Sequence, residues 1–114
     1  MPDDCVFCRI VAGHLPAREV LRERGMVAFH DIAPKAPVHV LVVPERHVAS
    51  MDEVSGMPDG EKAAMLEVIA EVARRVGVAD RGYRVTTNHG PDSRQSVFHL
   101  HWHVMGGELL SESM

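Results

Sequence analysis

The stretch HLHWHV, residues 99–104, has histidine at every second position and an apolar residue after each one. Successive side chains of a β-strand point to opposite faces, whereas residues two apart in a helix point about 200° from one another. The pattern therefore predicts a strand over residues 97–105, with three imidazoles in a row on one face: His99, His101 and His103. The apolar side chains of the other face should bury against a helix: Phe98, Leu100, Trp102 and Val104. A solvated strand face and a row of metal ligands are the alternatives.

Further strands are indicated on both sides of the polar segment that precedes this stretch. Residues 19–22 and 26–30 flank a short glycine-containing loop and predict a β-hairpin. The β-branched run VHVLVV at 38–43 predicts a mostly buried strand that ends before Pro44. Another strand is expected at residues 83–87, and the polar loop NHGPDSRQS follows it.

A long amphipathic helix is predicted over residues 59–77. Its buried side is marked by four apolar residues at helical spacing: Met65, Ile69, Val72 and Val76. Asp59 or Ser55 would start the helix and Gly77 would close it. Helix and strands together indicate an α+β protein.

Length and charge limit the possible functions. A chain of 114 residues is expected to form one domain, residues 1–114, around one core. Its net charge of -4 gives no basic field to attract nucleic acid phosphates. It has no apolar run long enough to cross a membrane, and its N-terminus lacks a basic region followed by an apolar one. We expect a cytoplasmic protein that binds neither nucleic acid nor membrane.

The two cysteines, Cys5 and Cys8, form a CxxC pair near the N-terminus. In a reducing compartment this spacing is more typical of a metal site or redox chemistry than of a structural disulfide. A short helix is expected over residues 5–12, capped by Asp3 or Asp4 and ended by Gly13.

The motif QSVFHLHWHVMGG resembles that of the histidine triad (HIT) family, most closely its Hint-like branch. The likeness extends, in the same order, to CVFCRIVAGHLPA, MVAFHDIAPKAPVHVLVVPERHV and GYRVTTNHG. It implies a homodimer of α+β subunits, each with a mostly antiparallel five-stranded sheet, one long helix and a short N-terminal helix. The implied activity is hydrolysis of a nucleoside 5'-phosphoramidate, typically of AMP, to a nucleoside monophosphate and an amine.

The resemblance also implies catalytic roles. His101 would be the nucleophile that forms a nucleotidyl-histidine intermediate, and His103 would donate to a phosphate oxygen. His39 would take part in orienting the nucleophile's ring, and Ser96 would contact phosphate or the departing amine. No catalytic metal is needed for that scheme.

Nucleotide-binding residues follow from the same resemblance. Asp31 would bind the ribose hydroxyls, and Ile32 would form part of the base pocket. Asn88 would line the site, and Gln95 lies in the phosphate loop. Arg94 stands where the family usually has glycine, so its side chain could crowd the phosphate or add a cation for an extra phosphate.

Plainer structural roles remain open for several of these residues. Asp31 could begin a turn, Asn88 and Ser96 could bond their own loop backbone, and His39 could be a hydrogen-bonded core residue. The remaining histidines are interpreted as surface residues: His14, His30 and His89. His89 stands where the family commonly has an acidic side chain.

If the CxxC pair binds a metal, zinc is the expected ion. The resemblance implies that His47 and His99 complete a tetrahedral set with Cys5 and Cys8. Such a zinc would be structural and would pin the N-terminal segment to the sheet. A redox-active cysteine pair is the alternative.

Two other functions compete with phosphoramidate hydrolysis. A dinucleoside polyphosphate hydrolase or nucleotidyltransferase is the first, but those branches usually carry glutamine where this chain has His103. The second is a purine nucleotide-binding or interaction module with incidental hydrolysis. The chain ends in GGELLSESM without the tryptophan- and proline-rich tail of many Hint relatives, which leaves the amine specificity open.

Overall fold

The computed structural model describes residues 4–112, and these form five β-strands and two α-helices. The strands and helices are β1 (Glu19–Glu23), β2 (Met26–His30), β3 (Val38–Pro44), β4 (Tyr83–Thr86), β5 (Trp102–Gly106), α1 (Val6–Val11) and α2 (Asp59–Arg75). The strands form an antiparallel sheet in the order β1-β2-β3-β5-β4. The predicted α+β fold is therefore confirmed. No helix in this part of the chain is long and apolar enough to cross a membrane.

The first two strands form the predicted hairpin. Its loop contains only Arg24 and Gly25, and Glu23 belongs to β1. Both loop residues have positive φ, 52° and 79°, as the type I′ turn of a tight hairpin requires.

Helix α2 covers one face of the sheet, and most of its predicted buried side is confirmed. Met65, Ile69 and Val72 are buried in the main core, while Val76 is only partly buried. The start of the helix differs from prediction. Pro58 occupies the capping position and makes no side-chain hydrogen bond, so neither Asp59 nor Ser55 caps this helix.

Helix α1 lies on the opposite face, against a second apolar cluster: Phe7, Val27, Phe29, Leu41 and Val43. The expected cap is wrong, because the capping residue is Cys5, whose Sγ accepts the N–H of Cys8 at 3.2 Å. Asp4 precedes that position, and Asp3 lies outside the described residues. Gly13, with a φ of +81°, follows the helix as predicted.

The predicted strand over residues 97–105 is too long at its start, since β5 begins only at Trp102. Trp102 pairs with Val42 of β3, and continuing that register would place Leu100 opposite Pro44, which has no N–H to donate. The N–H of Leu100 instead donates to the carbonyl of Val48 at 2.6 Å. The alternation of faces therefore fails at Phe98, whose side chain is 62% exposed rather than buried.

Candidate active site and adjoining metal-binding cluster

His101 is buried and its ring is fixed by the backbone of the triad itself. Nδ1 of His101 lies 2.8 Å from the carbonyl oxygen of His99. A carbonyl only accepts, so Nδ1 is protonated, and in the neutral form of the ring the lone pair lies on Nε2. Thr87 holds this segment from β4, because its Oγ1 donates to the carbonyl of His101 at 2.7 Å. The geometry thus leaves Nε2 as the ring nitrogen of His101 that makes no hydrogen bond within residues 4–112.

His39 and His103 form a directed hydrogen-bonded pair beside this ring. The backbone N–H of Lys35 donates to Nδ1 of His39 at 3.1 Å, so the proton of neutral His39 lies on Nε2. That Nε2 lies 2.9 Å from Nδ1 of His103 and 3.4 Å from Oδ2 of Asp31. Nδ1 of His103 is then an acceptor, which leaves Nε2–H of His103 as a donor. Its ring centroid lies 5.1 Å from that of His101.

Burial keeps this pair uncharged. It lowers the pKa of His103 to about 4, and the neighbouring His101 and His39 act in the same direction. Burial is also the main cause of the lowered pKa of His39, against which the Asp31 carboxylate acts. Near neutral pH, His103 therefore offers a hydrogen bond and no positive charge.

His99 belongs to a different cluster, so the three imidazoles do not face one cavity. Nδ1 of His99 lies 3.3 Å from Sγ of Cys5 and 3.4 Å from Sγ of Cys8. Nδ1 of His47 lies 3.2 Å from the same Cys8 sulfur. The ring of Phe7, carried by α1 between the two cysteines, packs edge-on against His101 with centroids 5.0 Å apart.

These four donors fit a structural metal ion. Their ligand atoms all lie within 4.8 Å of one another. Zn–S bonds of about 2.3 Å and Zn–N bonds of about 2.0 Å place neighbouring ligands roughly 3.5 Å apart, close to the spacing here. Nε2–H of His99 donates to the carbonyl of Pro44 at 2.8 Å, which leaves its Nδ1 unprotonated toward the sulfurs. Burial raises the pKa of Cys8 to about 11, so without a cation it stays a thiol.

A second group brings metal-binding atoms together but does not fit a cation. Asp31, His39 and His103 also place their atoms within 4.8 Å of one another. To bind an ion through Nε2, neutral His39 would have to carry its proton on Nδ1. Two donors, that proton and the N–H of Lys35, would then point at each other, and the hydrogen bond between Lys35 and His39 would be lost. Asp31, His39 and His103 therefore form a hydrogen-bonded group, whereas the cysteine cluster is a metal-binding candidate.

The proposed ribose and base residues lie at the opening of this site. Oδ1 of Asp31 accepts the N–H of Ala33 at 2.8 Å. The carboxylate therefore also stabilises a turn, which was the alternative structural role for Asp31. Ile32 is 99% exposed and is free to pack against a planar base. His39 contacts His103 rather than His101, so it can influence the ring of His101 only through that neighbour.

The loop over residues 88–96 is held by Gln95. Its Nε2 donates to the carbonyls of Ala49 at 3.0 Å and Val97 at 3.2 Å, and its Oε1 accepts the N–H of Gly90 at 2.9 Å. The side chain of Gln95 is thus used to shape the loop. Asn88 is half-buried at its start.

Ser96 and the three histidines outside the two clusters differ in exposure. Ser96 is exposed and lines a cavity of about 300 Å³ together with Cys5 and His47. His14 is exposed and His30 is half-buried. The third, His89, is exposed as predicted but is not free, since its Nδ1 lies 2.7 Å from Oγ of buried Ser50.

Arg94 occupies the left-handed region, with a φ of 64° and a ψ of 32°. A non-glycine residue in that conformation costs roughly 1 kcal/mol or more, which is a physical reason to expect glycine there. We expect Arg94→Gly to raise the free energy of unfolding by about 0.5–1 kcal/mol, because relief of strain outweighs the added freedom of the unfolded chain. Urea unfolding measures the change. Arg81→Gly, at a position without positive φ, should lower stability; a loss at position 94 would contradict the strain argument.

Three residues of the site were not predicted from the sequence. Phe7 lies between the cysteine ligands, and its position in CVFC was the available clue. Thr87 and Lys35 act through a hydroxyl and a backbone N–H, and neither is marked by residue type or spacing.

Comparison with known proteins agrees with this geometry. The HIT domain model matches residues 12–109, and Cys5 and Cys8 precede that range. A HIT-like protein of Azospirillum brasilense is 43% identical over 106 residues, covering 92% of this chain and 87% of that protein. The purine nucleoside phosphoramidase of Escherichia coli (strain K12) is 32% identical over 110 residues, covering 96% and 92%.

A solved structure extends the comparison to the whole fold. The HIT family hydrolase from Clostridium thermocellum superposes with a TM-score of 0.93 at 35% identity, covering 100% of this chain and 99% of that one. Most of the chain thus matches the family in sequence and in fold. The chain belongs to the histidine triad (HIT) domain family.

Proposed function

We propose that this protein hydrolyses nucleoside 5'-phosphoramidates, those of AMP among them, to a nucleoside monophosphate and an amine. The observation that carries the proposal is the tautomer of His101, whose Nδ1–H is held by the His99 carbonyl. In the neutral form of this buried ring, Nε2 carries the lone pair and is a nucleophile beside a donor on His103. The relative named purine nucleoside phosphoramidase, at 32% identity, supports the same reaction class.

In the first step, Nε2 of His101 attacks phosphorus and the P–N bond breaks. The ring becomes a nucleotidyl-imidazolium whose positive charge is stabilised by the hydrogen bond from Nδ1–H to the His99 carbonyl. Nε2–H of His103 donates to a phosphate oxygen as charge moves onto it. The leaving nitrogen takes up a proton from solvent as it departs as an amine, and the water that attacks in the second step returns one proton to solvent. Ser96 is proposed to contact the amine or the phosphate.

In the second step, water attacks the same phosphorus and releases the nucleoside monophosphate, which restores the His101 lone pair. Throughout both steps we propose that Asp31 binds the ribose hydroxyls and that Ile32 covers the base. Asn88, Arg94 and the loop shaped by Gln95 border the phosphate. Nothing in this scheme requires a metal at phosphorus.

We further propose that Cys5, Cys8, His47 and His99 hold a structural zinc ion. When bound, the ion cross-links α1 to the segment after β3 and to the triad. His99 joins the two sites, because its side chain faces the cysteines while its carbonyl orients His101. The metal ligands would thus fix the backbone on which the nucleophile depends.

We propose a cytoplasmic homodimer that acts on free nucleotides rather than nucleic acid or membranes, with residues 1–114 as one HIT domain. β4 forms an edge of the sheet, with half-exposed Tyr83 at its start. A cavity of about 490 Å³ adjoins that end of the strand, and Leu109, 99% exposed, lines it. An unpaired edge beside a concave surface that carries both charged residues and an exposed leucine is suited to contact with a second copy.

A kinetic panel tests the reaction. We expect an adenosine 5'-phosphoramidate and its guanosine counterpart to be cleaved with much higher kcat/KM than a dinucleoside polyphosphate or a nucleotide sugar. A preference for the dinucleoside polyphosphate would favour the polyphosphate hydrolase instead. Tight AMP binding with no cleavage of any of the four would favour a nucleotide-binding module.

A further inference from the structure

Lys35 places an unpaired positive charge beside the His39–His103 pair. Its backbone N–H bonds Nδ1 of His39 at 3.1 Å, which fixes the residue at the edge of the site. Its side chain is exposed, and among residues 4–112 no carboxylate forms an ion pair with its ammonium. Asp31, four residues earlier, bonds Ala33 and His39 instead.

The charge balance of the site makes this ammonium significant. His39 and His103 are neutral near pH 7, since burial lowers the pKa of each ring. Asp31 adds a negative charge next to them. An entering nucleotide phosphate adds at least one more, so cations beside the site are needed to offset the repulsion, and Arg94 in the loop over residues 88–96 is one of them. Lys35 is the cation whose charge acts on both rings.

We propose that the ammonium of Lys35 binds the nucleotide phosphate and thereby makes this site prefer phosphorylated nucleosides over neutral ones. The inference rests on the proposed nucleotide site and adds Lys35 to it, a residue for which the sequence predicted no role. Lys35 belongs to the loop before β3, whereas Arg94 belongs to the loop over residues 88–96, so the two cations come from different parts of the chain. The preference is electrostatic, so it should weaken as salt concentration rises.

Binding measurements with two ligands test it. Titration calorimetry should show that Lys35→Met weakens AMP binding by about five-fold, the upper range for an exposed ion pair, and leaves adenosine binding unchanged. Lys35→Arg should retain the affinity for AMP. Lys62→Met is the matched control, because it removes the other lysine of the chain, which pairs with Asp59 on α2. Its affinity for both ligands should equal that of the parent.

The pKa of the His103 ring, measured by NMR, provides a second test. It depends on the charge of Lys35, so a purely structural role of Lys35 would leave it unchanged. Burial, His101 and His39 lower its pKa, Asp31 raises it, and Lys35 adds a smaller lowering. Removing a positive charge eases protonation, so Lys35→Met should raise this pKa, while Lys35→Arg should not.

The outcomes separate this inference from the proposed function. Equal AMP affinity in the parent and Lys35→Met proteins would overturn the inference alone, as would an equal loss for AMP and adenosine. Failure of the parent protein to bind AMP would overturn the proposed function together with it.

Discussion

The His101→Ala protein is expected to fold and bind AMP normally but to lose turnover of an adenosine 5'-phosphoramidate by at least about a thousand-fold. The loss follows from the missing Nε2, because no other group takes the place of a nucleophile that bonds phosphorus. His103 and the loop over residues 88–96 remain to hold the phosphate. Single-turnover kinetics and calorimetric AMP binding, measured on the same preparation, separate the two effects.

His14→Ala is the control, since that exposed histidine lies outside the site and its removal should leave the rate unchanged. The intermediate gives an independent check. Parent protein quenched in acid-free denaturant during turnover should carry one nucleotidyl group, and the His101→Ala protein none. Parent-like turnover in His101→Ala would refute the covalent mechanism.

Loss of the metal site should cause the second large effect. We expect purified parent protein to retain about one zinc per chain after dialysis and the Cys5→Ser, Cys8→Ser protein to retain none. Because structural zinc binding supplies on the order of 10 kcal/mol in small domains, its loss should cost several kcal/mol here. Elemental analysis and thermal unfolding measure the two quantities.

Serine is a useful replacement at these positions because it isolates the metal from the packing. Cys5 caps α1 through its Sγ, and serine is itself a strong N-cap, so the helix start is retained. Added zinc should raise the melting temperature of chelator-treated parent protein but not that of the double variant. A zinc-free parent whose two cysteines cycle between thiol and disulfide would instead support the redox alternative.

The regular elements were largely predictable because each depends on local periodicity. Three signals each act within a few residues: the four-three-four spacing of apolar residues in α2, the β-branched run of β3 and the glycine of the first hairpin. The two helix caps were wrong locally, whereas the error at the start of β5 came from a distant partner. Pro44 removes the ladder hydrogen bond that residues 97–101 would need, so Phe98 points to solvent instead of joining the core.

The candidate site was predictable as a set of residues and less so as an arrangement. Resemblance to the family brought His39, His101 and His103 together, and the structure places their rings in contact. It did not indicate that the His99 carbonyl, rather than His39, bonds the ring of His101. Hydrogen bonds to backbone atoms leave no mark on residue type, so no pattern of side chains reveals them.

The sequence by itself determined the strand that carries His103, the long helix, the family, and which side chains can ligate, donate or attack. Tertiary structure alone decided which ring nitrogen is free and which imidazole belongs to which cluster. The reason is that proton placement depends on the hydrogen-bond partner that the fold brings to each ring nitrogen. Some of these partners are distant in sequence: the Pro44 carbonyl bonds His99 across 55 positions, and His39 bonds His103 across 64. Chemical identity is a property of each residue, but protonation and role are properties of its neighbours in space.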